Sequence, residues 1–244
     1  MSDAEPIRLH KFLAQSGVAS RRKCEQLMLD GRVEVDGEVV TQMGARVDPR
    51  AAVIHVDGRR LPPPSDHVYL VLNKPRGVVS TMEDPEGRRC LADLVTERPE
   101  RLFHVGRLDT DTDGLILLTN DGEFAHRMAH PSFEITKTYM ALVAGAVKPG
   151  LGRVLKAGIE LEDGAVKVDR FTLKQTHGAK SLVELDLHGG RNRIVRRLLE
   201  EVGHPVERLT RTAFGSVRLR QLPSGDLREL TPDELGELLD SVKL

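Results

Sequence analysis

The chain has no tryptophan, and only two tyrosines and six phenylalanines among its 244 residues. Its core must be built from Leu, Val, Ile and Ala, and stacking on a flat ligand falls to very few side chains. Cysteine is equally scarce. Cys24 and Cys90 are too few and too isolated for a disulfide framework or a zinc site, which points to a reducing compartment. No apolar run approaches the length of a membrane span, and no signal-like N-terminal segment is present. A cytoplasmic protein with no membrane partner is the expectation. An excess of one charge is missing too. The 36 Lys and Arg residues against 37 Asp and Glu leave a net charge of −1. Bulk electrostatics do not announce a nucleic-acid binder, so any basic surface has to be local.

What is present begins with the run Gly106-Arg107-Leu108-Asp109-Thr110-Asp111-Thr112-Asp113-Gly114-Leu115. It sets Asp109 between a short apolar entry and the apolar stretch Leu115-Ile116-Leu117-Leu118-Thr119. Polar, Gly-flanked loops between apolar segments are where chains hold catalytic groups at a pocket edge. Taken alone, the run also reads as a solvated turn, with Asp111 and Asp113 as turn formers. A second concentration of charge is His188-Gly189-Gly190-Arg191-Asn192-Arg193-Ile194-Val195-Arg196-Arg197. Ile194, Val195, Leu198, Leu199 and Val202 make a helical apolar stripe, which leaves Arg193, Arg196 and Arg197 on the opposite arc. The two glycines let backbone and helix N-terminus approach a phosphate. Tyr139, in Lys137-Thr138-Tyr139, lies in an apolar strand, where a core tyrosine is the ordinary reading. His104, His126, His130, His188 and His204 are too scattered for a metal site. No Walker motif, serine elbow or dinucleotide fingerprint occurs.

Three consecutive prolines, Pro62-Pro63-Pro64, followed by Ser65-Asp66, read as a stiff linker. They divide the chain into domains at 1–62 and 63–244. In the first, Ile7 to Leu13 suggests a short helix ending near Gly17. Ser20 caps a second helix that stops at Gly31, and short strands surround the Asp36-Gly37 and Asp57-Gly58 turns. Arg21, Arg22 and Lys23 occupy the first turn of the second helix, where the helix dipole disfavours cations. They are either a solvated basic turn or a phosphate patch. In the second part, strands are expected at Val68–Leu72, Thr138–Val143, either side of Asp163-Gly164, Ser181–Leu187 and Val206–Val217. Helices are expected at Gly122–Ala129, Pro149–Lys156 and Ile194–Val202. A last helix opens at the capping box Thr231-Pro232-Asp233-Glu234. The segment Glu83–Gly87 reads as a mobile loop. This irregular mixture predicts an α+β fold: a small N-terminal α/β domain, then a larger domain with a mixed, mainly antiparallel sheet flanked by helices.

The loop around Asp109 resembles the active-site motif of the ribosomal pseudouridine synthases of the small-subunit-A and large-subunit-B type. That motif reads Gly-Arg-Leu-Asp, two variable residues, Thr, one variable residue, Gly-Leu, and every fixed position is met at Gly106 to Leu115. Residues 6 to 60 resemble the alpha-L RNA-binding domain at the front of these synthases, through Arg8-Leu9-His10-Lys11-Phe12-Leu13, Gly17, Ser20-Arg21-Arg22 and Gly31 to Gly37. Asn73-Lys74-Pro75 resembles the family's opening turn. Lys137 with Tyr139 resembles its second motif, and Gly190-Arg191-Asn192-Arg193 with Val195-Arg196-Arg197-Leu198 its third. Ile194 replaces the Gln or Glu often found there.

The resemblance implies Asp109 as the catalytic carboxylate, Tyr139 against the target base and Arg196 against Asp109. It implies RNA contacts from Arg8, Lys11, Arg21, Arg22, Lys23, Arg32, Lys74, Arg107, Lys137, Arg191, Arg193 and Arg197. The implied reaction isomerises a uridine to pseudouridine in ribosomal RNA, more in keeping with the large subunit than the small, with naked RNA or a subunit assembly intermediate as partner. It needs no metal or organic cofactor, and the enzyme is expected to act as a monomer. A glycosidase would need a second, opposed carboxylate, which the chain does not offer by spacing. A non-catalytic rRNA-binding assembly factor would use the basic residues alone.

Overall fold

The computed structural model describes residues 6–49, 52–61 and 67–244. The linker residues 62–66 lie outside that set. The chain forms two compact units. One ends at His67 and takes in Pro99–Arg101; the other comprises Val68–Arg98 and Leu102–Leu244.

After a two-residue strand, Ile7–Arg8, the first unit carries helices Leu9–Gln15 and Arg21–Leu29. The Ser20 side chain accepts from the Lys23 N–H, the expected cap. Their apolar faces bring Leu9, Phe12, Leu13, Cys24, Leu27 and Met28 onto Val33 and Ile54. A four-stranded antiparallel sheet runs in the order Glu38–Val39, Val33–Val35, Ile54–Val56, Arg59–Arg60. Its first hairpin turns at Asp36-Gly37, both with positive φ, the conformation for which Asp-Gly is suited.

The second unit is a nine-stranded sheet. Its main path runs Arg170–His177, Lys180–Leu187, Lys137–Ala144, Val206–Phe214, Thr112–Thr119, Tyr69–Lys74, Leu227–Glu229. All described pairings in it are antiparallel except one. Val206–Phe214 lies parallel to Thr112–Thr119, with Leu209 opposite Thr112 and Arg211 opposite Gly114. Every residue of Thr112–Thr119 is buried. Alternation sends Ile116 and Leu118 into a core with Val195, Leu198 and Leu199 of helix Ile194–Glu201. Leu115 and Leu117 enter a second core with Phe124 and Met128 of helix Gly122–Ala129 and Leu238 of helix Pro232–Ser241. Helices therefore cover both faces of the sheet, which explains the unbroken apolar run.

Several boundaries differ from the sequence reading. The opening strand continues through Lys74, because Asn73 and Lys74 pair with Leu115 and Gly114. The helix expected from Pro149 starts at Leu151, after Gly150 in a left-handed conformation. The segment around Glu83–Gly87 is closed on itself by Asp84, which accepts from the Arg88 backbone and guanidinium. The polar strand Arg170–His177 was not anticipated. It is an edge strand, so neither burial nor alternation marks it.

Candidate active site

The segment Gly106–Thr110 leads into strand Thr112–Thr119 and is fastened from both sides. Ser80 Oγ donates to the Leu108 carbonyl at 2.6 Å and accepts from the Leu108 N–H at 3.1 Å. The Gly77 N–H donates to the Thr110 carbonyl at 2.7 Å, and the Thr112 N–H to the Asp109 carbonyl at 3.0 Å. The loop is thus held by its backbone, and the Asp109 carboxylate keeps 32% exposure. A group presented this way meets a ligand without losing the fold's own bonds.

Two cavities meet at this loop. One of about 370 Å³ is bordered by Asp109, Thr112, Lys137, Tyr139, Arg193 and Arg211, among others. The second, about 440 Å³, is bordered by Arg76, Ser80, Thr110 and Asp111. Arg107, Asp109 and Arg193 border both. The floor of the first is made by neighbouring strands: Tyr139 sits opposite Arg211, and Leu209 opposite Thr112. The structure therefore brings Asp109, Tyr139, Lys137, Arg107, Arg191 and Arg193 to one cavity.

The arginines divide differently from the expectation. Among the described residues, Arg193 is the arginine within ion-pair range of Asp109, with Nη1 4.0 Å from Oδ2. Arg196, expected against Asp109, is 9% exposed and turned inward. Its Nη2 donates to the Asp111 carbonyl at 2.9 Å and its Nη1 to the Val206 carbonyl at 3.1 Å. Its Nε lies 3.3 Å from Asp111 Oδ2. Arg196 thus clamps the loop through Asp111. Arg193 Nη2 meets the same carboxylate at 3.0 Å. Burial pushes the Asp111 carboxyl up, but the Arg193 hydrogen bonds and the Arg196 charge outweigh it and hold it below the ordinary range. Asp113 is buried and accepts from Arg208 Nη2 at 2.8 Å and from Thr210 Oγ1. Neither aspartate is a mere turn former.

Other expected RNA contacts are committed within the protein. Lys74 is fully buried and donates to the Pro75 and Val78 carbonyls at 3.0 and 2.8 Å. Burial pushes it down to about 8 against the pull of Asp113, Asp109 and Asp111. With no exposed surface it cannot touch RNA, and it ties the turn after its strand. Arg197 pairs with Asp163, and Arg191 Nη1 donates to the Gly164 carbonyl at 2.9 Å. In the first unit Arg32 forms a two-pronged pair with Asp57 at 2.7 and 2.6 Å. Arg8, Arg21, Arg22 and Lys23 are exposed and Lys11 half-buried, and among the described residues none of these five pairs with a carboxylate.

Arg211 escaped the sequence reading. It is 2% exposed, its Nε donates to the Leu115 carbonyl at 2.7 Å, and its guanidinium lies 5.1 Å from the Phe214 ring centre. Lys137 shares that ring at 5.3 Å and donates to the Ile135 carbonyl at 3.1 Å. Burial and the Arg211 charge push Lys137 down to about 8. Among the described residues, no group of three His, Cys, Asp or Glu side chains is placed to hold a metal ion, and no helix is long and apolar enough to cross a membrane.

The chain is similar to known proteins. Residues 68–201 match the family described as RNA pseudouridylate synthase, and residues 7–53 match the S4 domain. An uncharacterized RNA pseudouridine synthase of Mycobacterium tuberculosis is 55% identical over 241 residues, covering 98% of this chain and 95% of the relative. The ribosomal large subunit pseudouridine synthase B of Bacillus subtilis is 45% identical, covering 95% of both chains. A crystal structure of a pseudouridylate synthase superposes with a TM-score of 0.64 at 28% identity, over 95% of this chain and 99% of that one. With a cavity that gathers one loop carboxylate, one tyrosine and a set of cations, and with relatives alike over nearly its whole length, the chain belongs to the RNA pseudouridylate synthase family.

Proposed function

We propose that the protein converts one uridine of large-subunit ribosomal RNA to pseudouridine, in the cytoplasm, as a monomer. The observation that carries the reading is the position of Asp109, held by its backbone at two cavities, the first of which it shares with the buried Tyr139. The target base leaves its stack, at a cost of about a few kcal/mol, and enters the first cavity against Tyr139. Asp109 starts cleavage of the C1′–N1 bond, whose electron pair passes to the uracil. The base then turns, C5 supplies the pair for a new bond to C1′, the C5 proton leaves and N1 takes one up. Arg193 is the cation nearest the working carboxylate, and Arg196 is a positioning residue acting through Asp111. Substrate supplies both halves of the new bond, so the reaction needs no cofactor. The large-subunit target rests on the 45% identity to the Bacillus subtilis enzyme and on the Gly190-Arg191-Asn192-Arg193 sequence.

Mapping pseudouridines in ribosomal RNA from cells lacking the protein should show one large-subunit position lost and restored by the wild-type gene. An unchanged map would sink the reading, and a loss confined to the small subunit would overturn the target.

The first unit holds the RNA electrostatically in this reading, through Arg8, Lys11, Arg21, Arg22 and Lys23. Replacing Arg21 and Arg22 together by Glu should weaken binding to a large-subunit rRNA fragment and flatten its log–log salt dependence by about 1 per lost phosphate contact. Unchanged affinity and slope at several salt concentrations would remove these residues from the interface.

A further inference from the structure

The first cavity carries two cations, Arg211 buried and Lys137 half-buried, and among the described residues no acid pairs with either. Arg211 spends one donor on the protein, its Nε on the Leu115 carbonyl, and its Nη2 is buried without a partner. A guanidinium carries five N–H donors and an ammonium three, and neither accepts. Thr112, beside them in the cavity wall, has a buried Oγ1 that is likewise unpartnered. Leaving such donors unmatched is costly in a native fold, and the cost is relieved when a ligand supplies acceptors. The exposed arginines lie elsewhere on the same cavity, with Arg193 at 45% and Arg191 at 43% side-chain exposure. A phosphate, which keeps most of its hydration, suits those; a desolvated flat ring suits the buried end, where Tyr139 and Phe214 are.

We infer that Arg211, with Lys137 beside it, is a donor-only wall that reads the carbonyl oxygens of the flipped uracil and holds them through its half-turn. The inference rests on the proposed reaction and adds its base selectivity. Uracil presents oxygen at C2 and at C4, whereas cytosine presents an amino donor at C4. Turning the ring about the N3–C6 line exchanges N1 with C5 and the C2 oxygen with the C4 oxygen. The same donors therefore serve substrate and product. When C1′–N1 breaks, the electron pair received by the ring spreads from N1 onto its oxygens, where the two cations stand. Cytosine in the same place would set an N–H group against N–H donors.

The test is an NMR titration of the full-length protein with uridine 5′-monophosphate, cytidine 5′-monophosphate and ribose 5-phosphate. The wild-type protein should bind the uridine nucleotide about ten-fold more tightly than the cytidine one. Arg211→Met and Lys137→Met should each cut that ratio to about two-fold or less and leave ribose 5-phosphate affinity unchanged. Equal affinity of the wild-type protein for the two nucleotides would overturn the inference. So would variants that lose all three ligands alike, which would assign the cations to phosphate. If Arg211→Met does not fold, the wild-type ratio and Lys137→Met still decide. Failure of the enzyme reading shows in a different measurement, the rRNA map, so the two failures are distinguishable.

Discussion

Asp109→Asn is expected to abolish pseudouridine formation, by at least about 10³-fold, while RNA binding is retained. The substitution keeps the shape of the side chain and removes only its charge. The backbone bonds that hold the loop, Ser80 to Leu108 and Gly77 to Thr110, do not involve that side chain. Its nearest cation, Arg193, keeps Asp111 as partner, so the arginine is not left uncompensated. Affinity for rRNA should stay level or tighten, because a negative charge near phosphates has been removed. Single-turnover assays on a large-subunit transcript, run beside filter binding, separate the two quantities. Wild-type turnover in the variant would take the chemistry away from Asp109.

Gly114→Ala should be nearly as damaging, through the fold. Gly114 has φ +108, a conformation that side chains rarely adopt. A Cβ there would sit 2.7 Å from the Arg211 backbone nitrogen and closer still to its carbonyl oxygen. Both neighbours are backbone of the adjacent parallel strand, so no flexible side chain can move aside. Backbone strain of about 1–3 kcal/mol adds to an overpacking cost of similar size. That is a large part of the roughly 5–15 kcal/mol that holds a domain together. Urea unfolding should show the catalytic unit's midpoint strongly lowered. What folded protein remains should be inactive, because the strand that follows Asp109 and the strand bearing Arg211 are forced apart. A midpoint and turnover equal to wild type would refute the close approach.

The sequence made the ends of this site legible and left its middle dark. Asp109, Tyr139 and the arginine run stood out through short motifs that resemble a family's; by local pattern alone the loop also read as a turn and Tyr139 as core. The capping box at Thr231 and the Asp36-Gly37 turn were readable from local pattern: their chemistry is complete within four residues. Arg211 was not. Between Thr210 and Thr212 in a strand it looks solvent-facing, and its register partner Gly114 and acceptor Leu115 lie almost a hundred positions earlier. The partners of Asp111 and Asp113 are equally distant in sequence: Arg193, Arg196 and Arg208 come from a helix and strand that no local pattern links to the loop. Lys74 shows the converse. A basic turn after a strand suggests exposure, yet continued pairing with Gly114 draws it inside.

The parallel pairing of Val206–Phe214 with Thr112–Thr119 also governs how the enzyme comes into being on the ribosome. The loop strand emerges long before its neighbour, and Tyr69–Lys74 waits longer still for Leu227–Glu229. At typical synthesis rates the gap of about a hundred residues lasts on the order of 5–20 s. Through that interval the S4-like unit has all its strands, while the buried run Leu115–Leu118 has only part of its cover. Contacts this far apart in the chain make folding slow and leave an apolar strand edge exposed to other chains. A nascent molecule therefore passes through a stage in which its RNA-holding part is finished and its chemistry is not.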